Sequence, residues 1–458
     1  MKKNRIPAIF LVFTLFTSMF GVSANAAGIG ACTHTAQGRD VAKTLQAAED
    51  TSLTWMRDDL LWSQVEAVQG VLKMPAYAEW IDIANEQGIK PLIVLGFGNP
   101  IYPEGKVSEE WNEKVMPVRD GKPETTQDDE YFEAFIRYVD FVSKELAGKV
   151  GAYEFWNEPD LKGFNEKDAT AEDYTVLLKE AYATIKKNDP DVKVAGGALA
   201  YGNEFFEDML KAGAGEYMDM LSMHYYLGNS APEKKARERL DEKRNILEKF
   251  GYSDMPIWLT ETGWANSDVD EETQAKFIIR NAVLYEAFLL DNGIDGQYIS
   301  YELHDSNLSY NSFERSLGLV RDDYTLKKAA YAVNIYNKLT ADKKLTSLTE
   351  TKFLFWSKSA FTAKFTNGDR TTLVVWAEKD RDIDVNLPAT EAVIYDIEGN
   401  VVEKITEAGT KTIKATDAPL FIEFTADAYS EAPVQTFFEK IIAFFRNIFD
   451  LIAGYFNG

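Results

Sequence analysis

From Gly28 to about Thr340 the chain alternates short apolar runs with amphipathic stretches. The runs Ile29–His34, Ser52–Asp58, Ile89–Gly96, Val150–Trp156, Val192–Ala198, Met218–Tyr225, Pro256–Thr260 and Gln297–Leu303 predict strands. They are near-continuous in apolar residues, as strands buried on both faces require. Between most of them the apolar spacing turns helical, for example in Ala76–Gln87, Asp129–Leu146, Ala171–Lys187, Ala231–Phe250 and Glu271–Asp291. Eight strand–helix units in about 310 residues predict an α/β protein built on a (β/α)8 TIM barrel. The competing architecture is a doubly wound open sheet. No glycine-rich fingerprint follows the first strand, because Gly28-Ile29-Gly30 precedes it, and this weakens a nucleotide-binding reading.

Beyond Thr340 the period shortens. Phe353–Trp356, Phe361–Phe365, Thr372–Trp376, Ile383–Leu387, Val393–Tyr395, Val401–Ile405, Thr412–Lys414 and Leu420–Phe424 alternate, with turn signals at Asn367-Gly368-Asp369 and Glu398-Gly399-Asn400. Residues 341–427 read as a small all-β sandwich. It is expected to pack on the barrel as a structural domain; carbohydrate binding is its other reading. In residues 428–458, Phe437, Ile441, Phe444, Ile448, Leu451 and Tyr455 fall on one helical column, and Phe438, Ile442, Phe445, Phe449, Ile452 and Phe456 on the next. This predicts an amphipathic helical tail with a broad apolar stripe. Charges interrupt it too often for a membrane span. Docking on the chain's own domains, self-association and surface contact with lipid are its three readings.

The N-terminus changes the picture of location. Lys2, Lys3 and Arg5 precede the apolar run Ile6–Val22, and Ala24-Asn25-Ala26 offers a cleavage site. Residues 1–26 read as a signal peptide, leaving a barrel domain over 27–340 in a secreted or cell-surface bacterial protein. Its removal takes three positive charges from a net charge of −24, giving −27. Such a chain is not expected to bind nucleic acid or an anionic membrane through bulk charge, and it suits a neutral polysaccharide. Cys32 is the single cysteine, so no intrachain disulfide forms and a cysteine metal site is implausible. Ile29-Gly30-Ala31-Cys32 has the look of a lipoprotein box, but it lies too far from the apolar run, and Ala24-Asn25-Ala26 is the better site. His34, His224 and His304 all fall at strand ends, yet their spacing matches no metal motif, so neither a metal nor a cofactor is expected.

The chemistry concentrates at two strand ends. The fourth strand runs into Glu154-Phe155-Trp156-Asn157-Glu158-Pro159, and the seventh into Leu259-Thr260-Glu261-Thr262-Gly263-Trp264. In a parallel barrel the C-terminal ends of the strands carry the site, so Glu158 and Glu261 are expected to face each other across its mouth. Two opposed carboxylates suit glycosidic cleavage. One protonates a poor leaving oxygen and the other meets the anomeric carbon from the far face; a gap of about 5–5.5 Å supports a covalent intermediate, and a wider one admits water. A strand-end glutamate is more often solvated or salt-bridged, so one such motif is weak. Two, on the fitting strands and in order, are much stronger.

Trp156-Asn157-Glu158-Pro159 and Thr260-Glu261-Thr262-Gly263-Trp264 resemble the acid/base and nucleophile strands of glycoside hydrolase clan A. Within it the chain is similar to family 39, the β-xylosidases and exopolysaccharide glycosidases. Trp55-Met56-Arg57, Met223-His224-Tyr225-Tyr226, Leu317 to Asp322 and Lys327 through Tyr331 carry the resemblance across the whole barrel. It implies a retaining hydrolase acting on a polysaccharide or oligosaccharide, with Glu158 as acid/base and Glu261 as nucleophile. It also implies that Asn157 bonds the sugar 2-hydroxyl and that Arg57 lies beside Glu261 and keeps it charged. His224 and Tyr226 would line the pocket. Each has a plainer alternative: Arg57 as a core ion pair, His224 as a satisfied core histidine, Tyr226 as packing. One departure stands out. Clan members often place a tryptophan on strand eight, where this chain has Tyr298-Ile299-Ser300-Tyr301-Glu302-Leu303-His304. Tyr301 is the candidate platform there. Glu302 and His304 either add polar groups to the mouth or bind each other. Trp62, Trp111 and Trp264 are further candidate platforms, with core packing as the default. The segment Tyr102 to Gln127 is the expected cleft wall. A non-catalytic sugar-binding barrel and a transglycosylase using the same residues are the alternatives.

Overall fold

The structure is a computed structural model that describes residues 28–102, 116–118, 126–164, 169–306, 311–353, 356–387 and 391–425. The expected signal peptide, Trp111, most of the expected cleft wall and the expected C-terminal helical tail lie outside the described residues.

Eight parallel strands close into a barrel in sequence order. They are β1 (Ile29–Cys32), β2 (Trp55–Asp59), β3 (Lys90–Leu95), β4 (Ala152–Phe155), β5 (Lys193–Leu199), β6 (Met220–His224), β7 (Ile257–Thr262) and β8 (Tyr298–Ser300). Closure pairs Ile29 with Tyr298 and Gly30 with Ile299. Gly30 is required there, since a Cβ would come within 2.7 Å of both Trp55 and Ile299. The strands run near-continuously apolar because side chains on one face fill the barrel and those on the other meet helices. Cys32, Trp55, Leu92, Ala152, Ala195, Met220, Trp258 and Ile299 fill the interior, with the Trp55 and Trp258 rings edge to face at 5.0 Å. This plugs the barrel below its mouth, so it is a packed core and not a channel. It also buries Cys32, with Arg57 Nη1 at 3.4 Å.

The helices are α1 (Val41–Asp50), α2 (Trp62–Val65), α3 (Trp80–Glu86), α4 (Thr126–Glu145), α5 (Ala171–Asn188), α6 (Asn203–Lys211), α7 (Ala236–Lys249), α8 (Glu271–Asn292) and α9 (Lys328–Thr340). Several starts are written in the sequence. Asp40 and Asp270 accept from the backbone N–H three residues on, at 3.0 and 2.7 Å, and Thr170 with Asp173 forms a reciprocal capping box. Gly293, at φ +62°, ends α8. The predicted helices Ala76–Gln87 and Ala231–Phe250 each divide into a short helical turn and a helix, at Trp80 and Ala236.

The C-terminal region adds β9 (Lys344–Phe353), β10 (Trp356–Thr366), β11 (Arg370–Ala377), β12 (Arg381–Leu387), β13 (Ala392–Tyr395), β14 (Val401–Ile405), β15 (Gly409–Ala415) and β16 (Leu420–Thr425). Six form an antiparallel sheet in the order β14-β13-β16-β11-β10-β9, and β12 pairs with β15. Along its central strand β11 the large sheet is buried on both faces. Phe361, Phe365, Val374, Trp376 and Phe421 join the barrel's core. Leu373, Val375, Ile394 and Ile422 pack against Val385, Leu387 and Ile413 of the β12–β15 ribbon. The period-two pattern thus serves two interfaces at once. Trp376 stacks on Phe361 and donates to Glu233 at 2.8 Å, so its ring faces the barrel and not solvent. One expectation fails. Phe353–Trp356 is not a strand of its own, since Phe353 ends β9 and Trp356 opens β10, and the polar run Lys344–Phe353 is a strand. Its pairing with β10 supplies the order that its own alternation does not.

Candidate active site

The ends of β4, β6 and β7 and the middle of β2 converge on one cluster. Glu154 is fully buried and accepts from Arg57 Nε, from the Ser222 hydroxyl and, at 2.7 Å, from Thr260 Oγ1. Burial alone would raise its pKa, but Arg57, His224 and these hydroxyls outweigh it and hold the carboxyl below its usual range. Arg57 then spreads its remaining donors over the site. Nη1 reaches Glu261 Oε1 at 2.8 Å, and Nη2 reaches Asn157 Oδ1 at 2.9 Å. The fork fixes the Asn157 amide, leaving Nδ2 as its donor end.

Glu261 is held from both sides, because Tyr226 donates its phenol to Oε2 at 2.9 Å. Burial, with Glu261 and Tyr301 adding to it, pushes the Tyr226 phenol well up, so it stays a donor. Glu158 meets the ring of His224, with Nδ1 3.0 Å from Oε1. The tautomer follows from hydrogen counting. The Thr260 hydroxyl gives its one hydrogen to Glu154, so at 3.1 Å it must accept from His224 Nε2–H. Burial lowers the His224 pKa, but Glu261 and Glu158 outweigh burial and raise it. The ring is therefore held toward its protonated form, with Nδ1 facing Glu158.

One carboxylate oxygen from each of Glu158 and Glu261, with a His224 ring nitrogen, lies within 4.8 Å of the others. This gap is at the narrow end for two carboxyl groups that flank a sugar. Backbone conformation helps to set it. Trp156 and Glu158 sit at φ +66° and +47°, a region that side-chain-bearing residues avoid at a cost of about 1–3 kcal/mol each. The Glu158 N–H donates to Ala198 O at 2.9 Å, which ties the turn to β5.

A model of glycosyl hydrolases family 39 matches residues 27–381, from the start of the barrel into β12. The chain belongs to glycosyl hydrolases family 39. It is 26% identical over 205 residues to a β-xylosidase from Caldicellulosiruptor saccharolyticus, a match spanning 41% of this chain and 39% of that protein. Among solved structures it is similar to a family 39 glycoside hydrolase from Bacteroides cellulosilyticus WH2, at TM-score 0.68 and 23% identity, covering 87% of this chain and 81% of that one. A family 39 β-xylosidase from Caulobacter crescentus gives 0.61 at 17% identity, covering 88% and 96%. These structural likenesses show a shared fold.

In this family 39 chain, Arg57, Asn157, Glu158, His224, Tyr226 and Glu261 come together as one hydrogen-bonded cluster. Tyr301 joins its rim, edge to face with Tyr226 at 6.2 Å and with His34 at 5.3 Å. Trp264 does not line the opening. It is fully buried, packs on Phe277 of α8 and donates to Ser230 O at 3.1 Å, so the residue after the Thr-Gly step supports the wall from behind. Trp62 is likewise buried, within a cluster of Tyr102, Tyr131, Phe135 and Tyr138. Glu154 is the residue that sequence reasoning missed. The available signal was a carboxylate in the middle of a strand otherwise read as buried, which demands a cation.

Glu302 and His304 are not each other's partners. Glu302 approaches His34 Nε2 at 3.5 Å, whereas His304 Nε2 meets Thr44 Oγ1 at 3.1 Å and its ring meets Tyr324. Burial, reinforced by Arg39, lowers the His304 pKa to about 3, and burial lowers that of His34 to about 4. An unfolded histidine titrates near 6.5, so below that pH the unfolded chain binds more protons. Stability is then lost as pH falls from about 6.5 through these depressed values. The melting temperature should fall steadily from pH 7 to pH 4, and His304→Gln should flatten that fall. Scanning fluorimetry across the range checks it; equal slopes for the two proteins would refute the assignment to His304.

Proposed function

We propose that this chain is a retaining glycoside hydrolase that cleaves β-linked sugars in an oligosaccharide or polysaccharide. The observation that carries the reading is the approach of Glu158 to Glu261 within 4.8 Å. It fits the roughly 5–5.5 Å separation of double displacement better than the 6.5–9.5 Å of direct attack by water. Glu158 gives its proton to the leaving oxygen as the bond from that oxygen to the anomeric carbon breaks. Glu261 Oε forms the new bond to that carbon, and the ester so formed removes the Glu261 charge. Water then loses a proton to Glu158 and adds its oxygen to the carbon, releasing Glu261. Arg57 and Tyr226 point Glu261, His224 orients Glu158, and Asn157 offers Nδ2 to the 2-hydroxyl. The β-xylosidase likeness favours a β-linked substrate.

Reducing-end release from bacterial and plant polysaccharides tests this directly, with wild type beside Glu158→Gln and Glu261→Gln. Glu158→Gln should lose about 10²–10⁴-fold in kcat/KM toward a sugar leaving group. It should lose far less toward a glycosyl fluoride, which leaves without a proton. Equal losses on both substrates would remove Glu158 from the acid role. NMR of the first product should show the anomer of the substrate; the opposite anomer would mean inversion. The run Lys2 to Ala26 supports export of the chain. N-terminal sequencing of protein recovered from the medium should then begin near Ala27.

A further inference from the structure

Strand β7 carries one residue more than its neighbours. Against β6, Leu259 pairs with Met223 and Glu261 with His224, so Thr260 is extra. Against β8, Leu259 pairs with Tyr298 and Thr262 with Ser300, which again leaves one residue over. A bulge of this kind re-aims side chains, so that chain neighbours that ordinarily point to opposite faces can share one. Thr260 and Glu261 share one. Glu261 meets Arg57 and Tyr226. The fully buried Thr260 places its Oγ1 2.7 Å from Glu154 Oε1 and 3.1 Å from His224 Nε2.

That hydroxyl has one hydrogen to give, and Glu154, paired with Arg57, accepts it. Only a lone pair is left toward His224. Nε2 therefore keeps its hydrogen in either charge state of the ring, and Nδ1 alone gains or loses one. Nδ1 stands 3.0 Å from Glu158 Oε1 and 3.6 Å from Glu261 Oε2. Arg57 and Glu154 are the other charges beside the ring, and from α7 Arg239, Glu242 and Lys243 approach the same strand end. A Thr260 that donated to Nε2 would reverse this. The neutral ring would then carry its hydrogen on Nδ1, donate it to Glu158 and favour the ionised carboxylate, which has no proton for a leaving group.

We propose that Thr260 is a positioning residue for the acid step: its hydrogen committed to Glu154, it fixes His224 as an Nε2–H ring whose Nδ1 holds a proton for Glu158. This rests on the hydrolase reading above. One proton then serves both half-reactions. It moves from Nδ1 to the Glu158 carboxyl and from that carboxyl to the leaving oxygen, which leaves a neutral ring still bonded to Thr260. In the second half, the proton that water loses to Glu158 restores the pair. Glu154, too deep to touch a sugar, acts on the reaction through Thr260 and the ring.

Two measurements test this. The chain has three histidines, so protein labelled with ¹⁵N in its histidine rings gives few signals, and His34→Gln and His304→Gln assign them by elimination. In the wild type, His224 Nε2 should show a one-bond coupling to hydrogen on both sides of the ring's titration. Thr260→Val keeps the shape without the oxygen; its neutral ring should move the hydrogen to Nδ1 and leave Nε2 bare, and Thr260→Ser should restore Nε2–H. The second measurement compares leaving groups on one glycosyl unit, over β-xylosyl, β-glucosyl and β-galactosyl fluorides and the matching disaccharides. Fluoride leaves without a proton and a sugar needs one. Thr260→Val should lower the ratio of kcat/KM for disaccharide to that for fluoride about tenfold or more, the usual effect of losing a hydrogen bond to a charged group, and Thr260→Ser should recover most of it. A bare Nε2 in the wild type overturns the proposal, whether or not Thr260→Val folds. So does an unchanged ratio in Thr260→Val, or an equal fall on both substrates, which would make Thr260 a support for Glu261 alone. Wild type inert toward every fluoride and disaccharide rejects the hydrolase reading and the acid role of Thr260 with it, and the Nε2 signal tells that failure apart from a wrong hydrogen assignment.

Discussion

Glu261→Gln should reduce turnover by on the order of 10⁴-fold or more, because the amide oxygen can still accept from Arg57 and the NH2 can face the Tyr226 oxygen, but the amide cannot form the ester. The substitution is nearly isosteric, so the melting temperature should move little. A smaller variant makes the result diagnostic. Glu261→Gly opens the face of the sugar opposite the leaving group, and added azide can occupy it. With an activated substrate, azide should restore rate and yield a glycosyl azide of inverted configuration. Glu158→Gly with azide should instead give the retained azide, since the small anion then attacks the covalent intermediate where water would. Full activity in Glu261→Gln, or a retained azide from Glu261→Gly, would assign the nucleophile elsewhere.

Arg57→Met carries the second large effect, and it acts on stability as well as chemistry. Arg57 contacts Glu154, Glu261 and Asn157 together. Methionine fills similar volume but leaves Glu154, fully buried, without its cation. Removing one partner of a buried pair costs about 3–5 kcal/mol, because the other charge is stranded. For a chain with so large a barrel this corresponds to a melting temperature lower by about 10 °C. Activity should fall further than stability explains, since Glu261 loses one of its two positioning donors and Asn157 loses its anchor. Arg57→Lys should recover little, as one ammonium cannot serve three acceptors in a fixed plane. The double variant Arg57→Met/Glu154→Gln separates the effects. It should regain stability without regaining activity. A melting temperature unchanged in Arg57→Met would mean that Glu154 is neutral in the fold.

Positions with a repeating physical requirement were legible in the chain. A parallel strand covered on both faces must be apolar along its length, so all eight barrel strands appear in the pattern before any coordinate is known. Strand-end motifs were legible for a related reason. Parallel topology sends every strand's C-terminal end to one side, so Glu158 and Glu261 must share a face once the barrel is granted. The caps Asp40, Thr170 and Asp270 each bond a backbone N–H three residues on, so they too depend only on residues close in the chain. By contrast, Lys344–Phe353 gave no strand signal, since its order comes from pairing with β10 rather than from its own alternation.

What tertiary structure alone decided is the set of partners. The sequence by itself determined a closed barrel, a following β region and two glutamates at its mouth. It left open whether Trp264 faced sugar or core, and burial against Phe277 settled that. It left Glu302 and His304 two residues apart and so plausible partners, but in the fold Glu302 approaches His34, just after β1, and His304 meets Thr44 of α1. Glu154 acquired its meaning from Arg57, 97 residues earlier. Periodicity and capping are short-range consequences of backbone geometry and are therefore written locally. Hydrogen bonds and ion pairs across a barrel join residues that only the closed fold brings within 3 Å, and no local pattern encodes them.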